Sequence, residues 1–395
     1  MKALPKILPG SVLAALALCL APTSQAEPTE NTDLFKQGDA DCALYRYPGL
    51  VRSKSGTLVA LAEGRKNKTL GWDEANIFMR TSKDAGKTWS DAAKITSPPA
   101  DAKDNPISLK LKKPAKAGAI TTHNPAVVAD LKNGGIHILY GVEYQRLFHM
   151  SADDDGGNLG KPVEITKVLE EFRPEIDWKV AAPSPGASAQ LASGRLVVPV
   201  WLSLGTVGIG FQPAVTATIY SDDSGKTWQR GEIVAFDLEI TTAKTGTKLE
   251  KPLEAGVTQA ADGSVILNIR NKALKGMRAQ AISKDGASGW GEATFVKGLL
   301  EPMCEGSITT TGAGIVFANP ANMIMRKSLT ARLSSDNGTT YPASKIIDDG
   351  VAGYSSLAAG EGDTVHILYE RGANMSESEP ESITFRSFTT AWLKE

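Results

Sequence analysis

The chain reads as an all-β protein, a six-bladed β-propeller, and three observations lead there. A turn motif, Ser-x-Asp-x-Gly-x-Thr-Trp, recurs along it; six apolar runs each begin just after a glycine-containing turn; and hardly any stretch carries the 3.6-residue period of an amphipathic helix. The 38 glycines in 395 residues exceed the average usage of roughly 7%, as many short strands joined by tight turns require.

From the N-terminus, residues 1–26 carry Lys2 and Lys6, an apolar run from Ser11 to Ala21, and Ser24-Gln25-Ala26, with small residues at the two positions a signal peptidase reads. This is the pattern of a signal peptide, so the chain is expected to be exported, periplasmic or secreted, with a mature form starting near Glu27. The run is too short to span a bilayer as a helix, and no later stretch reaches the necessary length, so no membrane insertion is expected. Cys19 follows Leu18, a poor match to a lipoprotein cleavage site. Residues 27–395 read as a single propeller domain.

The turn motif occurs in full at Ser82–Trp89 and Ser221–Trp228, and a third copy, Ser334–Tyr341, changes only the aromatic. Degenerate copies stand at Ser283–Trp290 and Ser151–Asn158. Their starts are roughly 50 to 70 residues apart, which suits one four-stranded blade per repeat. The physics of the motif is that of a turn: the Asp accepts from backbone N–H groups, the Gly takes a conformation other residues avoid, and the aromatic fills apolar space between units. The glycine-initiated runs follow Gly56, Gly135, Gly194, Gly263, Gly314 and Gly362, and two of them share His-Ile-Leu-Tyr, from His137 and from His366. Six such units average about 60 residues, near the 40 to 50 of other propeller blades once loops are added.

Composition excludes several function classes. With 43 Lys+Arg against 44 Asp+Glu, the chain has no bulk attraction to nucleic acid or anionic lipid, so no nucleic-acid partner is expected. Beyond the signal, the cysteines are Cys42 and Cys304, expected as free thiols because they precede the inner strands of blades that are not adjacent. The histidines, His123, His137, His149 and His366, show no ligand spacing beside them; no metal and no cofactor are expected.

Propeller geometry then sorts the polar residues. Neighbouring strands of a blade run antiparallel, so the end of each glycine-initiated strand, the loop after it and the start of the inner strand share one face; the Asp motifs take the other. On the first face fall Arg46, Glu254 and Tyr354, each eight to ten residues before its strand's glycine and therefore near the axis. The same face receives Arg65 and Asp73 from the loop after the first such strand, Arg270 from the end of the fourth, and Arg326 from the loop of the fifth blade. Arginines, carboxylates and a tyrosine converging from four blades would repel or need costly desolvation without a purpose, so the cluster is a candidate site.

Tyr45-Arg46-Tyr47-Pro48, followed by Leu58-Val59-Ala60-Leu61-Ala62-Glu63-Gly64-Arg65 and by repeated Asp motifs, resembles the exo-sialidases of bacteria and animals, over a stretch from about Tyr45 to Glu370. The resemblance implies that Arg46, Arg270 and Arg326 clamp the substrate carboxylate, that Asp73 is the acid/base catalyst, that Tyr354 is the nucleophile with Glu254 as its partner, that Glu370 steadies Arg46, and that Arg65 is a fourth arginine beside the substrate. It implies a retaining glycoside hydrolase that releases terminal sialic acid from sialylated glycans or glycoproteins. Two departures stand out: Tyr47 and Gly49 replace the Ile and Ala usual after the first arginine, and Ser184-Pro185-Gly186-Ala187-Ser188 follows the family's Gly-Pro-Gly-x-Gly-Ile segment only loosely.

The residue types fit such chemistry on their own terms. A 2-keto sugar acid carries a carboxylate on its anomeric carbon, and guanidinium forks bind that anion through paired, charge-assisted hydrogen bonds. An anionic carboxylate nucleophile would be repelled there, whereas a phenol, neutral until a nearby carboxylate takes its proton, can attack. Asp73 would protonate the departing oxygen and then deprotonate water, with net retention. Two other readings remain beside this one: a hydrolase of a related nonulosonic acid, and a carbohydrate-binding or scaffolding propeller without catalysis.

Overall fold

The computed structural model describes Met1 and residues 27–68, 71–110, 119–273, 275–372 and 379–395. Apart from Met1, the expected signal peptide, with Cys19, lies outside the described residues. All six glycine-initiated runs are strands: Leu58–Arg65, Ile136–Val142, Leu196–Val207, Val265–Ile269, Gly314–Pro320 and Thr364–Gly372. Each pairs antiparallel with an inner strand before it and with the next strand along the chain; in the first unit these are Leu44–Arg52 and Ala75–Ser82. The fold is all-β, with its strands in a propeller-like arrangement.

Hydrogen bonding groups the strands into five sheets rather than the six separate blades that the repeat count predicts. The cause is one long strand, Ala343–Ala359. Up to Val351 it pairs with Lys327–Ser334, and from Val351 onward with Thr364–Gly372, so it belongs to two groups of strands and fuses them into a seven-stranded sheet. At the edge of that sheet Thr32–Lys36 pairs with Ser382–Thr389, which brings the N-terminal strand against the last strand of the chain. The ring is tied inside as well, because the Ser356 hydroxyl accepts the backbone N–H groups of Leu50 at 2.9 Å and of Ala187 at 3.0 Å.

Within the ring lies a cavity of about 270 Å³, lined by residues of six chain segments, from Leu50–Arg52 round to Leu357–Ala359, and by none of the predicted site residues. Several apolar cores lie between sheets, while one lies within the seven-stranded sheet, between its two groups of strands; another gathers Val198, Val200, Val215, Ala217 and Ile219 with Phe172 and Trp178.

The Asp motifs form the expected turns. Asp84 accepts the Ser82 hydroxyl and the Thr88 N–H, each at 2.9 Å, and Asp223 and Asp336 repeat the pattern. Trp89, Trp228 and Trp290 are only half-buried, so these tryptophans cover the edge of the interface rather than sealing its middle, whereas Tyr341 of the third copy is buried in an apolar cluster with Ile315 and Phe317. All four histidines lie in strands, and Cys42 and Cys304 are buried, free thiols. Among the described residues no helix is long and apolar enough to cross a membrane, and no group of three or more His, Cys, Asp or Glu could hold a metal ion.

Candidate active site

Two irregularities in the inner strands build the centre of the site. In Leu44–Arg52 the ladder breaks between Arg46 and Gly49, where Tyr47 has φ 57°; in Ala343–Ala359 it breaks between Ala352 and Ser355, around Tyr354. A bulge bends its strand and re-aims a side chain that regular pleating would send elsewhere. Both bulges are held by one buried carboxylate. Glu370, on Thr364–Gly372, accepts Arg46 Nε at 2.6 Å and Nη2 at 3.3 Å, and also the backbone N–H groups of Tyr47 and Tyr354, each at 3.1 Å. Gly353 makes this approach possible, since a Cβ there would stand 2.1 Å from Glu370 Oε2.

Glu254, just before the inner strand Ala255–Gln259, meets Tyr354 from the side. The Tyr354 hydroxyl donates to Glu254 Oε1 at 2.7 Å, while Arg270 Nη1 donates to Glu254 Oε2 and to the phenol oxygen, both at 2.6 Å. Around the Tyr354 ring stand three guanidinium groups, with carbons 5.6 Å (Arg46), 5.9 Å (Arg270) and 5.3 Å (Arg326) from its centroid. Arg326, half-buried, is anchored by Nη2 donating to the Met303 carbonyl at 2.9 Å. Burial pushes the Tyr354 phenol well above its ordinary pKa; the Arg270 charge opposes this and the Glu254 charge adds to it. The phenol is therefore neutral at rest and can become a nucleophile only by giving up its proton. Its hydrogen-bonded acceptor for that proton is Glu254. Glu370 raises the pKa of Arg46 despite the opposing effect of burial.

Arg65 is the last residue of Leu58–Arg65 rather than part of the following loop. Its Nε donates to Glu63 Oε1 at 2.6 Å, and Glu63 Oε2 accepts the Asn124 N–H at 3.0 Å. It joins the others through Tyr47, whose ring lies 5.2 Å from the guanidinium carbons of both Arg46 and Arg65 and 5.0 Å from the Tyr354 ring. Asp73 reaches the same face on the loop after Arg65 and is buried. Its backbone N–H donates to Thr121 Oγ1 at 3.0 Å, and its Oδ1 accepts the Glu74 N–H at 2.7 Å. The neighbouring Trp72 holds the loop: its indole donates to the Ile209 carbonyl at 2.8 Å and its ring lies 4.6 Å from Tyr144.

Direct contacts thus unite Arg46, Arg270, Arg326, Glu254, Tyr354 and Glu370, with Arg65 linked through Tyr47. Sequence reasoning passed over Glu63, the Tyr47 bridge and Glu305, a buried carboxyl just before the inner strand Ser307–Thr311. Glu305 was open to discovery, because it precedes Gly314 by the spacing that singled out Glu254 before Gly263.

A β-propeller-like ring with a guanidinium-lined tyrosine at one end is the class of protein that the fold and site define. The chain belongs to the BNR repeat-like domain family, which matches residues 111–367. It is similar to a sialidase of Micromonospora viridifaciens, 25% identical over 440 residues that cover 100% of this chain and 61% of the relative. A sialidase of Bacteroides fragilis is 26% identical over 366 residues, 84% of this chain and 61% of the relative. The chain therefore spans about three fifths of the length of these two relatives. Among solved structures, a Hadza microbial sialidase aligns with TM-score 0.72 at 24% identity, covering 92% of this chain and 69% of the other. The intramolecular trans-sialidase of Ruminococcus gnavus aligns with TM-score 0.71 at 17% identity, covering 92% and 98%.

Proposed function

We propose that the chain is an exo-α-sialidase, a retaining glycoside hydrolase that releases terminal sialic acid from glycoconjugates. The observation that carries this reading is the hydrogen-bonded set of Tyr354, Glu254 and Arg270 with three guanidinium groups around the phenol ring. In it Arg46, Arg270 and Arg326 grip the carboxylate of the sugar, and Glu370 holds Arg46 in position. Glu254 takes the Tyr354 proton as the phenol oxygen bonds to the anomeric carbon. Asp73 protonates the departing glycosidic oxygen in the same step and later removes a proton from the water that attacks the anomeric carbon; as the bond to Tyr354 breaks, Glu254 returns its proton to the phenol oxygen, restoring the resting site. Arg65 binds beside the sugar ring. A neutral nucleophile suits a substrate whose reacting carbon bears an anion, and the raised pKa of Tyr354 supports that choice.

The reading extends to architecture and address. Six blades in a single domain are supported by the pairing of Ala343–Ala359 with a different neighbour in each half and by the six chain segments around the central cavity. Export to the periplasm or medium rests on the pattern of residues 1–26. The deciding experiment offers the purified protein sialyllactose, an aryl sialoside and the aryl glycoside of the deaminated sugar side by side. Release of sialic acid with retained configuration is expected. Release from the deaminated substrate alone would move the activity to a related nonulosonic acid, and binding without release from any of them would make the chain a carbohydrate-binding propeller.

A further inference from the structure

Glu305 has no part in the scheme above. It stands just before the inner strand Ser307–Thr311, as Glu254 stands just before Ala255–Gln259. These two strands lie side by side: a Cβ added at Gly256 would be 3.2 Å from the Gly306 carbonyl oxygen, and the Thr258 and Thr310 hydroxyls are 2.8 Å apart. Two carboxyl groups therefore open adjacent strands at the same end of the ring. Both are buried, at 4% and 3% exposure, and Glu305 Oε2 has no hydrogen-bond partner among the described residues.

The cations nearby are committed elsewhere. Arg278, fully buried, donates to Glu301 Oε2 at 2.5 Å, to Asn268 Oδ1 at 2.6 Å and to the Cys304 carbonyl at 2.8 Å, while Glu301 Oε1 accepts the Cys304 N–H at 2.7 Å. This lattice fixes the turn that carries Glu305. Arg270 is bonded to Glu254 and Tyr354.

We propose that Glu305 is held as a neutral carboxylic acid beside Glu254, that the two carboxyls share a single negative charge while the site works, and that ionisation of Glu305 closes the site to an anionic sugar as pH rises. The inference rests on the proposed function for the anionic character of the ligand. Two buried carboxylates on adjacent strands cannot both ionise cheaply. The charges that act on Glu305 are those of Glu254 and Arg270 from the fourth unit, Arg278 from the third strand of that unit, and Glu301 on its own loop. Burial, then the Glu254 charge, push Glu305 well above the usual carboxylate range; Arg278 and Arg270 pull the other way without prevailing, and Glu301 adds to the push. Tyr354 and the Cys304 thiol share one apolar cluster, and burial raises both, so they stay neutral. The consequence is a charge balance. The site arginines Arg46, Arg65, Arg270 and Arg326 exceed the carboxylates Glu63, Glu254 and Glu370 by one positive charge while Asp73 holds the proton it donates, and that charge is available to a substrate carboxylate; an ionised Glu305 cancels it.

Two measurements on the full protein test this. Infrared spectra at neutral pH should contain the carbonyl stretch of a buried protonated carboxyl that Glu305→Gln lacks, and in wild type this band should disappear on titration at the alkaline midpoint of kcat/KM. With an aryl sialoside, whose leaving group needs no protonation, Glu305→Gln should move the alkaline limb of kcat/KM upward by about one pH unit or more, a tenfold gain over wild type on that limb. Absence of the band, or an alkaline limb that Glu305→Gln leaves in place, overturns the proposal. If Glu305→Gln does not fold, a wild-type band that titrates away from the kinetic midpoint overturns it equally. Wild type inert towards every sialoside would defeat the proposed activity and with it the role in substrate binding, while the infrared band still decides the charge of Glu305.

Discussion

Glu370 is the residue whose loss should be felt furthest. Its two oxygens accept four hydrogen bonds, from Arg46 Nε and Nη2 and from the backbone of Tyr47 and Tyr354, all in a buried setting. Glu370→Ala leaves Arg46 buried without this carboxylate and orphans two backbone donors. Removing one partner of a buried ion pair costs about 3–5 kcal/mol, and each orphaned donor adds about 1–3 kcal/mol where water cannot reach it. A cavity that admits water moderates the second contribution, so a loss of about 4–6 kcal/mol is expected for Glu370→Ala. Glu370→Gln keeps the volume and one acceptor but loses the charge, and about 2–3 kcal/mol is expected from weakening the charged hydrogen bonds. Gly353→Ala should weaken the same pair from the other side, because the added carbon would stand 2.1 Å from Oε2. Denaturant unfolding followed by circular dichroism reads all three. An Ala variant within about 1 kcal/mol of wild type would falsify the view that Glu370 is the main anchor of Arg46.

Three further outcomes are expected. Asp73→Ala should lose far more activity on sialyllactose, whose alkoxide leaving group needs a proton, than on an aryl sialoside, whereas Tyr354→Phe should impair both and abolish the covalent adduct with a fluorinated inhibitor; equal losses for Asp73→Ala on the two substrates would misassign its role. Trp228→Ala should cost about 2–3 kcal/mol, less than the 3–5 kcal/mol of a fully buried aromatic, and leave turnover per folded molecule unchanged; lost turnover at an unchanged melting temperature would refute the separation of the two ends of the ring. Burial, then the neighbouring His137, lower the His149 pKa to about 4, and burial lowers that of His366 to about 4. The unfolded chain therefore takes up protons below about pH 6.5 that the folded one refuses, so the histidine contribution to stability is complete above that pH and is lost as pH falls towards 4. Melting temperatures at pH 7 and 5 for wild type and His149→Gln should show a smaller acid loss in the variant, and parallel curves would reject the assignment.

Much of this was legible from the chain alone because repeats carry their own frame. The glycine before each second strand gave six strand positions, and the antiparallel rule then put Arg46, Glu254, Arg270 and Tyr354 at one end of the ring. What the repeats did not carry was pairing between units. The number of sheets depended on whether Ala343–Ala359 would break at Gly350 or run through it, and no local residue preference decides that; Gly350 lies within the strand. The half-burial of the motif tryptophans was likewise hidden, because the motif specifies the turn but not how far the neighbouring sheet extends to cover the ring. Glu63 was missed for a different reason. It sits mid-strand in an apolar run, and only the spatial approach of Asn124 and Arg65 reveals why a carboxylate is tolerated there.

The bulges explain why the repeat frame located the site only to within a residue or two. Between Arg46 and Gly49 two residues, Tyr47 and Pro48, face the single residue Ala62 across the ladder, so the inner strand holds one residue more than its partner. Glu254 precedes an inner strand whose pairing from Ala255 to Gln259 is regular, and its distance to the next glycine is shorter by that one residue. A strict pleat would send alternate side chains to opposite faces of the sheet, and Arg46 and Tyr354 could not both turn to the axis while their backbone N–H groups also reached one carboxylate. The irregularity supplies both. The extra residue frees the Tyr47 and Tyr354 amides from the strand ladder, and Glu370 accepts them together with Arg46. The same carboxylate that balances the guanidinium charge therefore holds the two breaks in the strands, which is why a single substitution at Glu370 should disturb an arginine on one strand and a tyrosine on another at once.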